Sequence, residues 1–217
     1  MNIPKGLLVS SVLAIWLVPA TVVAQKIDHL EFSNDPGDKL VFKWTLGNKA
    51  QQMEEVFNDF GDAEIRGVIT VGGKAYELVV EKSPVKLTVK KGLCLANGQA
   101  CTFAPGLLLL DMPLEKGKKW TTSFTVTGDT FVAELTQERK VDGFEKVRVP
   151  AGEYDAVKIS FSARIVSKST KGEQYTGKEE GTEWWSFSSG RPIPTKVVYR
   201  NSFGEKFTRE LISATLK

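Results

Sequence analysis

Short runs in which apolar and polar residues alternate, bounded by glycine, proline, asparagine and aspartate, constrain the fold of this chain more than any other feature. The clearest run places five apolar side chains two residues apart: Val157, Ile159, Phe161, Ala163 and Ile165. Similar runs occur at residues 40–46, 65–71, 76–80, 85–89, 120–126, 131–135, 185–187, 197–199 and 212–216. A period of two is the side-chain spacing of a β-strand with one buried face. The sequence therefore predicts an all-β, antiparallel fold.

The runs are short, frequent and separated by turns, which also predicts how the strands are arranged. We expect residues 25–217 to form a single antiparallel β domain. Its strands belong to one twisted sheet that makes an open or closed barrel, with a sandwich as the alternative. A division into two domains near Pro113 is the less favoured arrangement.

Two segments depart from the alternation. Met53, Val56, Phe57 and Phe60 follow the i, i+3, i+4, i+7 spacing of a helix face, so we expect one short helix near residues 53–60, with a strand as the alternative. The four leucines of residues 107–110 are too few to span a membrane. We interpret them as an irregular, buried crossing segment.

The N-terminal segment has the three parts of a secretory signal peptide. Lys5 supplies a positive charge, residues 7–18 form an uncharged and mostly apolar run, and Val22-Val23-Ala24 places small residues before a cleavage point at Gln25. We predict a signal peptide over residues 1–24, and a mature periplasmic protein that is not an integral membrane protein. The alternative is an uncleaved segment that tethers the protein to the membrane.

The two cysteines agree with export. Cys94 and Cys101 flank Asn97-Gly98, a sequence typical of a tight turn that brings two strands together. In an oxidising compartment such a pair forms a disulfide. A redox-active pair is the alternative, but the spacing is longer than that of the usual redox motif.

Composition and motifs argue against most catalytic and nucleic-acid-binding classes. The net charge is only +3, and the chain holds a single histidine, His29. The sequence has no nucleophile elbow, phosphate-binding loop, zinc-binding histidine pair or calcium loop. We therefore expect no enzyme activity, no cofactor, no metal site and no nucleic-acid partner. Carboxylate pairs such as Glu54-Glu55 and Glu179-Glu180 lie in polar runs, and we interpret them as solvated surface.

Aromatic residues supply the candidate ligand or partner surface. Trp184 and Trp185 are adjacent, so on a strand they face opposite sides. Trp185 shares its side with Phe187 and is our choice for the core, which leaves Trp184 more exposed. Trp120 follows a run of lysines and completes the candidate set. The alternative is that these aromatics only pack within the protein.

Three segments resemble bacterial exported proteins of the uncharacterised TapB-like group and related domains of unknown function. They are Leu114–Trp120, the VPAG-containing stretch Val149–Ile159, and Glu183–Gly190 with its paired tryptophans. The resemblance covers about half the chain and implies an antiparallel β-fold, export and no established activity. It supplies no catalytic residues. Pro150 and Gly152 also predict a turn by themselves, because proline fixes φ and glycine accepts a positive φ.

Three functional hypotheses follow. The leading one is a non-catalytic periplasmic binding or accessory protein for an apolar or lipid-like ligand held inside a β-shell. The second is a cell-envelope protein that pairs with another protein through an edge strand or Trp184 and has no small ligand. The third is a hydrolase that uses two carboxylates from distant strands.

Overall fold

The computed structural model describes residues 25–32, 36–94, 98–187, 189, 191–201 and 203–217. The predicted signal peptide, residues 1–24, lies outside the described residues. Every regular element within them is a β-strand. The described part of the chain therefore offers no helix that could cross a membrane.

The described residues form fourteen strands, which we number in chain order. Their bounds are β1 Lys26–Ile27, β2 Asp38–Leu46, β3 Lys49–Phe60, β4 Glu64–Val71, β5 Lys74–Ser83, β6 Lys86–Cys94, β7 Gln99–Asp111, β8 Leu114–Glu115, β9 Lys119–Gly128, β10 Phe131–Val149, β11 Gly152–Ser169, β12 Gln174–Ser186, β13 Ile193–Arg200 and β14 Lys206–Thr215.

Twelve of these strands form a closed antiparallel barrel in the order β10-β11-β12-β13-β14-β2-β3-β4-β5-β6-β7-β9, and β9 pairs back with β10. β1 and β8 form a separate two-stranded sheet, with Lys26 opposite Glu115. The prediction of an all-β, antiparallel barrel is confirmed, and the barrel is closed.

The turns alternate between the two ends of the barrel because neighbouring strands are antiparallel. We call one end the upper rim; it carries the connections β2–β3, β4–β5, β6–β7, β9–β10, β11–β12 and β13–β14. The opposite, lower rim carries the connections β3–β4, β5–β6, β7–β9, β10–β11 and β12–β13. The N-terminal segment covers part of the lower rim, where the Leu30 N–H donates to the Pro84 carbonyl at 2.8 Å. Leu30, Met112 and Leu114 are buried there against the main core.

The barrel is weakest where β7 meets β9. These strands pair only over Cys101–Ala104, so the last part of β7 has no backbone partner on β9. Side chains close this seam instead. The Trp120 Nε1–H lies 3.5 Å from the Leu108 carbonyl, an Arg139 N–H lies 3.4 Å from the Leu109 carbonyl, and Lys118 donates to the carbonyl of Asp111.

The predicted helix near residues 53–60 is wrong, because these residues belong to β3. Met53, Glu55 and Phe57 are consecutive inward positions of that strand and line the barrel interior. A register shift between Phe57 and Asp59 then brings Phe60 to the inner face as well. An acidic inward residue and a bulge together erase the alternation and imitate helical spacing.

The interpretation of residues 107–110 as an irregular segment is also wrong. They continue β7, paired with β6 through Leu107 opposite Val89 and Leu110 opposite Leu87. Leu107 and Leu109 face the interior. Leu108 packs against the core from the other face, so both faces of the strand are covered here and no alternation is visible.

The two predicted hairpins are present. β10 ends at Val149 and β11 begins at Gly152, which has φ of 135°. Cys94 and Cys101 form a disulfide across the β6–β7 pair, with their Cα atoms 5.6 Å apart. The Tyr76 hydroxyl donates to the Gly98 carbonyl at 2.8 Å, which ties the disulfide hairpin to β5. Asn97 lies outside the described residues.

Candidate binding cavity

A cavity of about 640 Å³ lies inside the barrel. Each of the twelve barrel strands contributes at least one side chain to its wall, and the wall reaches from Phe203 at the upper rim to Phe60 near the lower rim. A barrel of about eight strands is filled by its own side chains, and wider barrels enclose ligand cavities. Twelve strands therefore leave interior space, and its volume falls in the range of about 300–1,000 Å³ typical of small-molecule sites.

Most of the cavity wall is apolar because the period-two pattern of each strand turns its apolar residues inward. Leu78, Phe124, Leu135 and Ile165 are examples from four different strands. Burying hydrocarbon against such a wall is favourable by about 25 cal/mol for each Å² removed from water. The wall is thus suited to apolar matter, apart from a few polar side chains described next.

A buried ion pair on the inner wall joins β10 to β12 across the intervening strand β11. The Arg139 guanidinium donates to both carboxylate oxygens of Glu183, at 2.9 and 3.2 Å. Its Nε–H donates to Gln137 at 2.8 Å, and its flat face lies 5.4 Å from the Phe161 ring centre. The Trp185 Nε1–H donates to Glu183 at 3.0 Å. Burial acts to raise the pKa of Glu183, but Arg139, these hydrogen bonds and the charge of Arg209 hold that pKa below its usual value.

A second ion pair joins β14 to β3. Arg209 donates to Glu55 at 2.9 Å, and its guanidinium lies 4.6 Å from the Phe42 ring centre. Its Nε–H is buried without a hydrogen-bond partner. Burial raises the pKa of Glu55, and the charge of Arg209 only partly opposes this. The single hydrogen bond makes this pair weaker than the two-fold contact between Arg139 and Glu183.

Glu179 differs from the other acidic side chains of the cavity. It lines the cavity on β12, two inward positions before Glu183. No cation or hydrogen-bond donor of the described residues pairs with its carboxylate. Burial raises the pKa of Glu179 to about 7. Its charge in turn contributes to a raised pKa of Tyr199, behind the larger effect of burial. Tyr199 pairs with Gly181, the next inward residue of β12, so it is a diagonal cross-strand neighbour of Glu179.

Aromatic side chains surround the upper part of the cavity. Tyr175 and Phe203 stack with ring centres 4.8 Å apart, and Phe203 is 73% exposed. Phe161 and Tyr199 lie 6.3 Å apart farther inside. All four rings line the cavity. The upper rim therefore offers an aromatic entrance.

An ionic contact at the lower rim ties the C-terminal residue to the barrel. Asp38 accepts hydrogen bonds from Arg191 and from the Lys217 backbone N–H, the latter at 2.9 Å. Lys82 lies 5.4 Å from the ring centre of Phe32 and 5.9 Å from that of Phe60. These contacts hold Phe32 and Lys217 against the lower rim.

The structure separates the four aromatic residues proposed from the sequence. Trp185 is buried and lines the cavity, as expected of the core choice. Trp184 faces outward, where its Nε1–H donates to Glu145 at 2.7 Å and Lys158 lies 5.5 Å from its ring. Trp120 is buried beside the β7–β9 seam, and Phe187 is half-buried just after β12. These residues do not form one surface.

The interpretation of both carboxylate pairs as solvated surface is wrong for one member of each. Glu55 is buried beside Arg209, and Glu179 lines the cavity. Adjacent residues on a strand face opposite sides, so each pair has one inner and one outer member. Sequence reasoning also missed Arg139 and Glu183. In the sequence, only their spacing points to the interior: Arg139 lies on the same strand face as Leu135, and Glu183 on the same face as Trp185. A polar residue at such a position is normally assigned to the solvent side. The described residues contain no cluster of side chains suited to a metal ion.

The fold and cavity define a class: a closed, twelve-stranded antiparallel β-barrel with an apolar interior. A Parabacteroides distasonis protein proposed to be a lipoprotein shares this fold, with a TM-score of 0.59 and 12% identity, covering 87% of this chain and 99% of its own. A Bacteroides fragilis protein proposed to be exported, described as having a YmcC-like fold, also has a TM-score of 0.59, with 15% identity over 87% of this chain and 100% of its own. No family model and no curated protein matches the sequence, so the TapB-like resemblance stays a prediction.

Proposed function

We propose that this protein is a non-catalytic binding protein of the bacterial cell envelope that holds a single-chain, lipid-like molecule inside its barrel. The observation that carries the proposal is the cavity of about 640 Å³ with a mainly apolar wall. A packed interior is the default for proteins, so open space of this size needs a reason. Each CH₂ group moved from water into such a space contributes about 0.8 kcal/mol, so one alkyl chain gives useful affinity.

The polar side chains of the cavity favour a ligand with one polar end. Inside the barrel, Arg139 pairs with Glu183 and Arg209 pairs with Glu55. Glu179 and the aromatic entrance lie toward the upper rim. A molecule with an apolar chain and a small polar head matches this division of the wall.

An internal ligand fits the structure better than pairing of a strand edge with another protein. In the closed barrel each strand pairs with a neighbour on both sides over part of its length. Some strands extend past one neighbour, such as β10 beyond Lys140 on its β9 side, and at the β7–β9 seam side chains bond the free carbonyls of β7. The described barrel therefore lacks a strand with a whole free edge, which strand addition requires. The outward Trp184 is likewise engaged by Glu145 and Lys158.

A binding role also suits the acidic side chains better than hydrolysis does. Both oxygens of Glu183 accept hydrogen bonds from Arg139, and one accepts another from Trp185. Hydrolysis by two carboxylates needs two carboxyl groups that are free to act on substrate, and Glu179 is the one unpaired carboxyl of the described wall. The location in the envelope is supported by the predicted signal peptide, the disulfide and the TapB-like resemblance.

Binding of a neutral alkyl chain tests the proposal. Trp185 is the tryptophan on the cavity wall, so its fluorescence should change when decanol is added below its solubility limit. The Trp185→Phe variant keeps the other tryptophans and should lose that change while still binding in a calorimetric titration. Absence of any decanol or fatty-acid binding to the native protein would refute the proposal.

A further inference from the structure

We infer that the polar end of the ligand is an organic ammonium group, held at Glu179 between the Tyr175–Phe203 stack and Tyr199. This inference rests on the proposed function, because it assigns the head group of the molecule whose chain fills the cavity. The chemistry required is a cation that is only weakly hydrated, such as a trimethylammonium group.

The position of Glu179 leaves space for a head group. Glu179 lies on the cavity wall, so its carboxylate borders the open interior. Ala163 lies directly opposite Glu179 on β11, and it is small. The next inward residue of β12 is Gly181, and the Phe161 ring and Tyr199 pack closely over it. The carboxylate therefore has open cavity before it and aromatic side chains beside it.

Aromatic rings lie on both sides of Glu179 along the barrel axis. Toward the upper rim, Tyr175 stacks on Phe203 with ring centres 4.8 Å apart. Toward the interior, Tyr199 is 4.7 Å from Phe207. Faces of aromatic rings attract organic cations, and aromatic cages are the usual recognition site for quaternary ammonium groups. A carboxylate among such rings supplies the negative charge that pairs with the cation.

The charges of the cavity also argue against an anionic head group. Each arginine of the described wall has a carboxylate partner: Arg139 has Glu183, Arg209 has Glu55, and Arg191 has Asp38. Among the described charged residues of the wall, Glu179 alone has no ion-pair partner. A cation can pair there without breaking an existing contact, whereas an anion would have to displace a buried carboxylate.

The inferred site should respond to pH. The groups around Glu179 are the uncharged Ala163 on β11, Tyr199 on β13, and Glu183 on the same strand, which is paired with Arg139. Glu205, in the turn after β13, acts on Tyr199. With a pKa of about 7, Glu179 changes from neutral to charged near neutral pH. Ammonium binding should therefore strengthen from about pH 6 to about pH 8, whereas binding of a neutral chain should not.

The test compares head groups on one chain length. Decyltrimethylammonium, decanol and decanoate are titrated below their aggregation limits into the native protein, Glu179→Gln and Glu180→Gln, with choline as a probe that has no chain. Glu180 is the adjacent, exposed residue and gives a matched control. Tyr175→Leu is a second variant that leaves the carboxylate in place.

We expect the native protein to bind the ammonium compound about tenfold more tightly than decanol, a difference of about 1.4 kcal/mol. Decanoate should bind most weakly, because each arginine of the described wall already has a carboxylate partner. Glu179→Gln should abolish the preference, Tyr175→Leu should reduce it, and Glu180→Gln should keep it. Glu179-dependent binding of choline, without binding of the decyl compounds, would support the site with a small quaternary ammonium ion as its ligand. Equal binding of all three decyl compounds would overturn the inference while leaving the proposed function intact, and failure of every decyl compound to bind would overturn both.

Discussion

The charged side chains inside the barrel have large and opposing effects on the stability of this protein. Removing Arg139 and Glu183 from water costs several kcal/mol for each ion, and their two-fold contact, with Gln137 and Trp185 completing it, offsets that cost. Such a pair adds little net stability compared with apolar residues of the same volume. Removing only one member of the pair is costly, because the other charge then stays buried without a partner.

The cost of breaking this pair is the first prediction. Glu183→Leu should lower the free energy of unfolding by about 3–5 kcal/mol, and adding Arg139→Met should restore much of it. The measurement is urea denaturation. The control is Glu54→Leu, which removes the partner of Lys39 at the surface and should cost no more than about 1 kcal/mol. Equal losses for Glu183→Leu and Glu54→Leu would show that the interior pair is not desolvated.

Glu179 predicts a dependence of stability on pH. Its pKa is raised in the folded protein, so between the ordinary glutamate value and about pH 7 the folded state binds more protons than the unfolded state. Stability therefore falls as pH rises through this range. Glu183 adds nothing to the slope there, because its lowered pKa leaves it ionised in both states from about pH 6 upward.

The corresponding experiment compares the native protein with Glu179→Gln. Native stability should fall by about 1–3 kcal/mol relative to the variant between about pH 5 and pH 8. Thermal or urea unfolding at several pH values measures this difference. Parallel pH profiles of the two proteins would contradict the raised pKa.

Individual strands show why much of the fold can be predicted from the sequence. On β11 the inward positions Val157, Ile159, Ala163 and Ile165 are all buried and apolar, so the alternation is unbroken. On β3 the inward Glu55 interrupts it, and the bulge after Phe57 changes the side that later residues face. Sequence periodicity thus succeeds where the interior is apolar and the register is regular.

The cavity itself could not be predicted in the same way. Periodicity shows which side of a strand faces inward, but not how completely the inward side chains fill the space. The inward position of Trp185 can be predicted from the sequence, because Trp185 is largely apolar and lies two residues before another aromatic residue, Phe187. The inward positions of Arg139 and Glu179 cannot, because a single polar residue is normally assigned to the solvent side.

Close packing of β12 against its neighbours gives a prediction about a single glycine. A Cβ atom at Gly181 would lie 2.4 Å from the Tyr199 Cβ and 2.7 Å from the Phe161 ring. Gly181→Ala should therefore lower the free energy of unfolding by about 1–3 kcal/mol, as overpacking does. At Gly92 the nearest atoms are 3.7 Å away, so Gly92→Ala should be close to neutral. Urea denaturation of both variants is the measurement, and an equally neutral Gly181→Ala would refute the close approach.

The whole molecule is a closed barrel with different ends. Leu30, Met112 and Leu114 cover part of the lower rim, and Asp38 holds the C-terminal residue nearby. The upper rim instead presents Phe203 and its partner Tyr175 at the cavity wall. We therefore expect the proposed ligand to enter through the aromatic upper rim.

Cavity occupancy is the most direct test of the central claim. Ala133 lies on the cavity wall and Val132, the preceding residue, is exposed on the outside. Ala133→Phe should fill part of the cavity, whereas Val132→Phe adds the same ring outside it. Native mass spectrometry of protein recovered from the periplasmic fraction should then detect one bound amphiphile per chain in the native protein and in Val132→Phe, and much less in Ala133→Phe. An unoccupied native protein that also fails to take up added amphiphile, or equal occupancy of all three proteins, would contradict an internal ligand.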